Sequence, residues 1–249
     1  MASQATGVSE PRVVLVTGST SGIGQATARR FAARGDTVVL NSVRSVEAGA
    51  RAAASIPGAH YVQADIAKDE DCERLVHEVL DRCGHLDVLV NNAGVTKVIA
   101  HRDLRAASLD VWRAIFDVNV FGTWNLTVHA IDALRERHGA IVNVSSLAGL
   151  RATGSSIPYA SSKAAVNHMT TLLAKSVGPE VRVNAVAPGL VDTPWTAEWD
   201  DIRESVRRVA PLRRSGTPDD VAEIIVALAL SSYVTGQVVA VDGGLSIAT

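Results

Sequence analysis

Residues 13–24 read VVLVTGSTSGIG, and this stretch decides the fold class. Its first part is an apolar run rich in β-branched residues, which is typical of a buried strand. Its second part carries Gly18, Gly22 and Gly24 and leads into a helical pattern that ends at Gly35. A glycine-rich turn at a helix N-terminus lets backbone N–H groups approach a phosphate. Strand–helix turns also use glycine without any ligand, but the position at the first such turn favours a nucleotide site.

Strand-like and helix-like segments alternate along the rest of the chain, which predicts a parallel sheet covered on both faces. We therefore expect one Rossmann-like, doubly wound α/β domain with seven strands at residues 11–249, after a polar N-terminal leader at residues 1–10. Long helices are expected at residues 108–137 and 157–178. After the first strand, the predicted strands cover residues 37–41, 60–65, 85–94, 140–146, 181–189 and 237–244.

The segment at residues 190–215 breaks this alternation, since it contains two tryptophans, mixed charges and prolines near both ends. It follows a predicted strand at the edge where ligands bind in open α/β sheets. A long excursion at that place predicts a substrate lid. A surface helical hairpin packed by its tryptophans is the structural alternative.

Composition excludes several classes of partner. The 249 residues carry a net charge of −2, with 47% hydrophobic and 20% charged residues, so neither a nucleic-acid partner nor a membrane partner is expected. The two cysteines form no CxxC pair and fit a reducing, cytoplasmic location. The seven histidines form no HxH or HExxH pattern, which predicts that there is no metal site.

The residues after the second predicted strand bear on the choice of cofactor. In folds that prefer NAD, an acidic residue near this point holds the ribose 2′-hydroxyl, but here Asn41 and Ser42 occupy it. Arg44 can instead form forked bonds to a 2′-phosphate, which favours NADP(H) over NAD(H). An exposed loop arginine is the alternative. Asp65 is expected either to contact the adenine amino group or to cap the next helix.

Tyr159 and Lys163, in the stretch YASSK, lie four residues apart in a predicted helix. Side chains at this spacing share one helix face. A phenol normally keeps its proton to about pH 10, and a nearby cation lowers that pKa. The pair therefore predicts a proton donor that works near neutral pH, or two amphipathic residues on a solvated helix face.

Together these features resemble the short-chain dehydrogenase/reductase family, in its branch of roughly 250 residues that includes 3-oxoacyl-carrier-protein reductases. The resemblance spans about residues 12–245, and Ser146 precedes Tyr159 by the family's thirteen residues. Several motifs stand in the family's order: TGSTSGIG (17–24), NNAG (91–94), VNVFG (118–122), YASSK (159–163), PGLVDT (188–193) and GGL (243–245).

The resemblance implies a catalytic tetrad of Asn119, Ser146, Tyr159 and Lys163. Ser146 would donate a hydrogen bond to the substrate oxygen, and Tyr159 would act as the general acid. Lys163 would lower the pKa of Tyr159 and bind the nicotinamide ribose. Asn119 would hold a water that links Lys163 to solvent.

The same resemblance implies a set of cofactor contacts. Asn91 would line the cofactor cleft, Asn92 would tie the central sheet together, and Thr193 would bond the carboxamide. The full implied set is Gly18, Ser21, Gly22, Ile23, Gly24, Ser42, Arg44, Asp65, Ile66, Asn91, Ala93, Gly94, Tyr159, Lys163, Pro188, Gly189, Val191 and Thr193.

The implied activity is NADP(H)-dependent reduction of a ketone to a secondary alcohol, or the reverse, on a small carbonyl or alcohol substrate such as a 3-oxoacyl thioester. An alcohol, sugar or steroid dehydrogenase and a non-catalytic NADPH-sensing regulator are the alternatives. Arg137 matches one basic position that binds the carrier protein in relatives, but Pro179 and Glu180 stand near the second, which argues against such docking. The resemblance also implies a homotetramer built on the two long helices and the last strand.

Overall fold

The structure is a computed structural model that describes residues 10–44 and 46–248, so the predicted leader lies outside the described residues except for Glu10. Its strands form one parallel sheet in the order β3-β2-β1-β4-β5-β6-β7, which confirms the predicted doubly wound fold. The strands are β1 (Val13–Val16), β2 (Thr37–Ser42), β3 (Ala59–Gln63), β4 (Val88–Asn91), β5 (Ala140–Val144), β6 (Arg182–Pro188) and β7 (Val238–Val241).

Helices connect the strands and cover both faces of the sheet. Several short turns interrupt this pattern, including a π-helical turn at Asp117–Gly122 and 3₁₀ turns at Leu147–Gly149 and Pro194–Thr196. The α-helices are α1 (Gly22–Ala32), α2 (Val46–Ala54), α3 (Asp69–Cys83), α4 (Leu109–Phe116), α5 (Thr123–Glu136), α6 (Ile157–Val177), α7 (Asp200–Val209), α8 (Pro218–Leu230) and α9 (Leu245–Ala248).

The core has two parts because the sheet is buried on both sides. Leu15 and Ile141 belong to the apolar cluster that packs against α3, α5 and α6. Val14 and Val142, their neighbours in sequence, belong to the opposite cluster with α1, α2 and α8. Successive strand residues point to opposite faces, so a sheet covered on both sides needs continuous apolar strands.

The strand order reverses between β1 and β4, where the loops leaving the two strands diverge and open a crevice. Gly18, just after β1, has a φ of +59°, a backbone conformation that favours glycine. A Cβ on Gly18 would lie 2.8 Å from the Cα of Ala93, just after β4. The close approach of these two loops therefore requires glycine at this position.

The helix predicted over residues 108–137 is interrupted by the π-helical turn between α4 and α5. Within that turn, the backbone carbonyl of Asn119 accepts a 3.0 Å hydrogen bond from the hydroxyl of Thr123. Gly122 packs so tightly that a Cβ would lie 2.8 Å from the carbonyl oxygen of Ile66. The helical pattern of the sequence continues through this segment. The wider π-helical turn occurs where Gly122 packs against the loop after β3.

Among the described residues, no helix has the length and apolar composition needed to cross a bilayer. In that same part of the chain, no cluster of three or more His, Cys, Asp or Glu side chains could hold a metal ion. Cys72 and Cys83 are free thiols, and burial raises the pKa of Cys72 to about 12.

Candidate active site

A cleft of about 1230 Å³ opens at the carboxyl edge of the sheet. The loops after β1 to β4 form one side, and the loop after β5, the start of α6 and the segment at residues 190–215 form the other. Most of the predicted site residues line this cleft. The exceptions are Gly24, Asn91 and Asn119.

The N-terminus of α6 presents Tyr159 to the cleft. Ser156 caps the helix by accepting a 3.4 Å hydrogen bond from the Tyr159 backbone N–H, and Pro158 stands in the first turn. The Tyr159 side chain interacts with the side chain of Ser146, which follows β5. Two hydroxyl groups from different elements, the loop after β5 and the start of α6, therefore line the cleft together.

Lys163 lies one turn further along α6, as its spacing predicts. Its side chain is buried, and Nζ donates a 2.8 Å hydrogen bond to the carbonyl oxygen of Val144. The amine lies 5.8 Å from the centroid of the Tyr159 ring. The two side chains therefore share a helix face, but the amine is directed to the end of β5.

Burial dominates the protonation of this pair. It raises the pKa of Tyr159, and the interaction with Ser146 opposes that rise only in part. Burial also lowers the pKa of Lys163 to about 8. Loss of hydration disfavours both charged forms, so the net pKa of Tyr159 is raised, and the lowering effect of Lys163 stays a prediction.

Asn119 is buried and does not reach the cleft. Its side-chain oxygen accepts a 2.8 Å hydrogen bond from the Val95 N–H, and its amide nitrogen donates to the Val95 carbonyl oxygen and to the Ser162 hydroxyl, both at 3.0 Å. A Cβ on Gly94 would lie 3.3 Å from this oxygen and 3.5 Å from Nζ of Lys163. Asn119 thus fastens the loop after β4 to α6 beside the lysine.

The structure contradicts the predicted place of Asn91 in the cofactor cleft. Asn91 is buried, and its amide donates to the side-chain oxygen of Asn143 at 2.9 Å and to the hydroxyl of Thr127 at 3.3 Å. The alternation of side chains along β4 turns Asn91 into the sheet–helix interface. It ties β4 to β5 and α5.

Asn92, the next residue, faces the glycine loop and lines the cleft. Its amide donates to the carbonyl oxygens of Thr17 at 2.8 Å and Gly18 at 3.0 Å. A Cβ on Gly24 would lie 2.5 Å from the same amide nitrogen. Gly24 is therefore needed for packing between the two loops, which explains why it does not line the cleft.

The start of α1 fits a phosphate group. Ser21 is the N-cap residue, but its side chain makes no capping hydrogen bond. Gly22 and Ile23, the first residues of the helix, line the cleft. The first N–H groups of a helix have no partners within it and carry partial positive charge, so this donor set suits a dinucleotide pyrophosphate.

Around the predicted adenosine site, Ser42 and Asp65 have hydrogen-bond partners within the protein, whereas Arg44 has none among the described residues. Ser42 is held by a 2.8 Å hydrogen bond to the Tyr61 hydroxyl, and Asp65 accepts from the Ala67 N–H at 3.1 Å, which closes the turn before α3. Arg44 is exposed and lines the cleft, and no described residue forms a hydrogen bond or ion pair with it. Its guanidinium is available for a phosphate.

The segment at residues 190–215 covers the other end of the cleft. Trp195 stands edge-on to the Tyr159 ring at 6.3 Å between centroids. Thr193 lies beside the start of α1, since a Cβ on Gly22 would be 3.3 Å from its methyl group. The cleft residues from this segment are mainly apolar, with two acids: Leu190, Val191, Thr193, Pro194, Trp195, Thr196, Glu198, Trp199, Asp201, Ile202 and Val206.

Known proteins match nearly the whole chain. A family model described as enoyl-(acyl carrier protein) reductase matches residues 18–246. A candidate ketoacyl reductase of the granaticin polyketide synthase from Streptomyces violaceoruber is 55% identical over 96% of this chain and 98% of its own length. A 3-oxoacyl-[acyl-carrier-protein] reductase from Thermotoga maritima is 39% identical over 96% of this chain and 99% of its own.

Solved structures agree with these matches. A short-chain dehydrogenase/reductase from Burkholderia xenovorans superposes with a TM-score of 0.88 at 37% identity, covering 96% of this chain and 99% of its own. A structure of ElxO with NADPH bound superposes with a TM-score of 0.87 at 29% identity, covering 95% and 99%. The chain belongs to the short-chain dehydrogenase/reductase family.

Membership of this family makes the protein an oxidoreductase with a nicotinamide cofactor. The family motifs located the residues around the reactive hydroxyls, but not the far wall of the cleft. Val98, Ile99 and His101 line that wall. Their loop is held by a 2.8 Å hydrogen bond from the Ile99 N–H to the Ser155 carbonyl oxygen, a contact between distant residues that no local pattern signals.

The predicted docking residue of this short-chain dehydrogenase/reductase lies away from its cleft. Arg137 follows α5 and forms ion pairs of 3.0 Å with Asp87 and 2.9 Å with Glu10. Asp87 precedes β4, so this cluster lies at the amino edge of the sheet, whereas the cleft lies at the carboxyl edge. Two carboxylates already balance the charge of Arg137.

Proposed function

We propose that the protein is an NADPH-dependent ketoreductase that reduces the 3-oxo group of an acyl thioester to a secondary alcohol. One observation carries the proposal: the side chains of Ser146 and Tyr159 interact where both line the cleft, so both hydroxyls can donate to one carbonyl oxygen. The names of the two relatives above, a ketoacyl reductase and a 3-oxoacyl reductase, support the choice of substrate.

The proposed roles follow from the chemistry of these side chains. The nicotinamide, when bound, supplies the hydride. Ser146 holds the substrate oxygen by a hydrogen bond, and Tyr159 gives its proton to that oxygen as negative charge develops. A raised pKa keeps Tyr159 protonated at neutral pH, which suits donation to an alkoxide.

Lys163 and Asn119 support this proton donor in the proposed mechanism. With a pKa lowered to about 8, Lys163 exchanges protons readily near neutral pH, and its amine lies in the cleft lining beside Tyr159. The family role of Lys163, binding the nicotinamide ribose hydroxyls, is consistent with that position. Asn119 fixes the neighbouring loop, and the water that links Lys163 to solvent is part of the proposal.

The preference for NADPH rests on Arg44, which lines the cleft with no ionic partner among the described residues. Guanidinium binds phosphate through charge-assisted, forked hydrogen bonds, so the 2′-phosphate of NADPH supplies the missing partner. The NADPH found on the structural neighbour ElxO supports the same choice.

A homotetramer in the cytoplasm completes the proposal. The outer faces of α5, α6 and the preceding turn expose large apolar side chains, which a second copy of the chain would cover. Phe121, Trp124, Val128 and Leu172 are each about half exposed, at 52%, 47%, 47% and 53%. The thioester would arrive on coenzyme A or on a carrier protein that docks elsewhere than the Arg137 cluster.

A substrate panel followed at the NADPH absorbance band tests the proposal. We expect turnover with acetoacetyl-CoA and NADPH, slower turnover with NADH, and none with crotonyl-CoA, which presents a carbon–carbon double bond to the cofactor. Reduction of crotonyl-CoA alone would assign the enoyl reduction named in the family model. Faster turnover of cyclic ketones or sugars would favour an alcohol, sugar or steroid dehydrogenase, and binding of NADPH without any turnover would favour a regulator.

A further inference from the structure

The segment at residues 190–215 is closed at its base by contacts between its two ends. Val191 and Gly216 form an isolated parallel bridge, and the Gly216 N–H donates to the Leu190 carbonyl oxygen at 2.8 Å. The Ser215 hydroxyl donates to one carboxylate oxygen of Asp192 at 2.8 Å. The segment therefore leaves and rejoins the fold at one point, and Asp192 belongs to that base.

Arg203, on α7, connects this base to the turn that carries Trp195. Its Nε donates to the other carboxylate oxygen of Asp192 at 2.7 Å, and its terminal nitrogens donate to the carboxylate of Asp200 at 2.6 Å and to the carbonyl oxygen of Thr196. Only 14% of the Arg203 side chain is exposed. One planar guanidinium thus spans α7, the base and the 3₁₀ turn.

The turn held by Arg203 touches both sides of the reaction site. Thr193 lies against the start of α1, and Trp195 stands edge-on to the Tyr159 ring. Thr196 adds a second fastening, because its hydroxyl donates to the Val191 carbonyl oxygen at 2.7 Å. A shift of the turn would therefore move Trp195 relative to the hydroxyl that delivers the proton.

We propose that Arg203 is a positioning residue: by joining Asp192 to the Thr196 carbonyl, it sets the place of Trp195 over Tyr159 and so the pose of the ketone. This inference rests on the proposed function, because it requires a ketone to bind beside Trp195 and Tyr159. Other arginines of α7 have no such role. Arg208 is exposed and has no hydrogen bond or ion pair with a described residue, so it supplies a matched control.

Steady-state kinetics with acetoacetyl-CoA test the proposal. We expect Arg203→Met to raise KM for the ketone and lower kcat, together about a 10-fold to 100-fold loss in kcat/KM, because a pose shifted by a fraction of an ångström costs heavily. The kinetics of Arg208→Met should stay close to wild type. Arg203→Lys, which keeps the charge and one donor nitrogen, should restore part of the loss.

A double-mutant cycle separates positioning from general stabilisation. If Arg203 acts through Trp195, the loss in Trp195→Phe/Arg203→Met should be clearly smaller than the product of the two single losses. Equal KM in Arg203→Met and Arg208→Met, or strictly multiplicative losses in the cycle, would overturn the proposal. Where Arg203→Met folds poorly by circular dichroism, Arg203→Lys takes its place in the cycle.

A readout without turnover keeps this inference distinct from the proposed function. The acrylamide quenching of Trp195 is obtained by subtracting the quenching of Trp195→Phe from that of wild type. We expect the same difference to be larger when both proteins also carry Arg203→Met. Increased quenching in a protein that reduces no ketone would contradict the proposed function but not the placement of Trp195 by Arg203. Unchanged quenching would contradict that placement, whatever the substrate is.

Discussion

The two ends of the cleft are built by different means. At the end proposed to bind the nucleotide, the groups available to a ligand are mostly backbone: the turn at Gly18, the uncapped start of α1 and the loop after β4. At the reactive end, they are side chains that come from α6, from the loop after β5 and from the segment at residues 190–215.

This difference has a physical origin. A pyrophosphate is recognised by many N–H groups, which a tight turn and a helix N-terminus already supply. A proton transfer requires one group with a defined pKa and position, which only a packed side chain provides. Changes at the nucleotide end should therefore alter binding first, whereas changes at the reactive end should alter turnover first.

The largest expected effect is that of Tyr159→Phe, because it removes the only proton donor proposed for the alkoxide. We expect kcat for acetoacetyl-CoA to fall by about 10²-fold to 10⁴-fold, with the dissociation constant of NADPH little changed. Tyr233→Phe is the control, since Tyr233 is fully exposed. Equal turnover in the Tyr159 and Tyr233 variants would assign the proton to another group.

Gly18→Ala should produce the opposite pattern, with weaker binding of NADPH. Gly58→Ala is a matched control: its φ is +69°, close to the +59° of Gly18, but a Cβ there meets no atom within 4 Å. Both variants bear the cost of a left-handed backbone, about 1–2 kcal/mol, but only Gly18→Ala also pushes Ala93. We expect the dissociation constant, from fluorescence titration, to rise about 10-fold in Gly18→Ala alone. A similar rise in Gly58→Ala would show that the contact with Ala93 does not matter.

Arg44→Ala tests whether Arg44 selects NADPH over NADH at the nucleotide end of the cleft. Loss of a charge-assisted bond to the 2′-phosphate should reduce the ratio of kcat/KM for NADPH over NADH about 10-fold, with NADH kinetics unchanged. Arg51→Ala serves as control because Arg51 is exposed on α2 and, among the described residues, pairs only with Glu47. If the NADPH-to-NADH ratio of kcat/KM were the same in Arg44→Ala and in this control, Arg44 would have no role in the choice of cofactor.

The smallest effect expected is a pH dependence of stability that arises at the reactive end. The pKa of Lys163 is about 8 in the folded protein, below its ordinary value of 10.5, so above pH 8 the unfolded chain binds more protons and the free energy of unfolding rises with pH. We expect Lys163 to contribute about 1 kcal/mol to this rise between pH 8 and 9, measured by urea denaturation as wild type minus Lys163→Met. Above pH 9 the thiol of Cys72, whose pKa is raised to about 12, acts in the opposite direction. Parallel pH profiles for the two proteins would mean that folding does not lower the pKa of Lys163.

The sequence alone determined the sheet and most of the residues that line the cleft, because strand periodicity and glycine-rich turns are local consequences of backbone geometry and the family motifs mark the rest. It also placed Tyr159 and Lys163 on one helix face. Only the tertiary structure decided that burial raises the pKa of Tyr159, that Asn91 turns into the sheet–helix interface, and that Arg203 reaches Asp192. Hydration and long-range contacts depend on which segments pack together, and neighbours in sequence do not specify that.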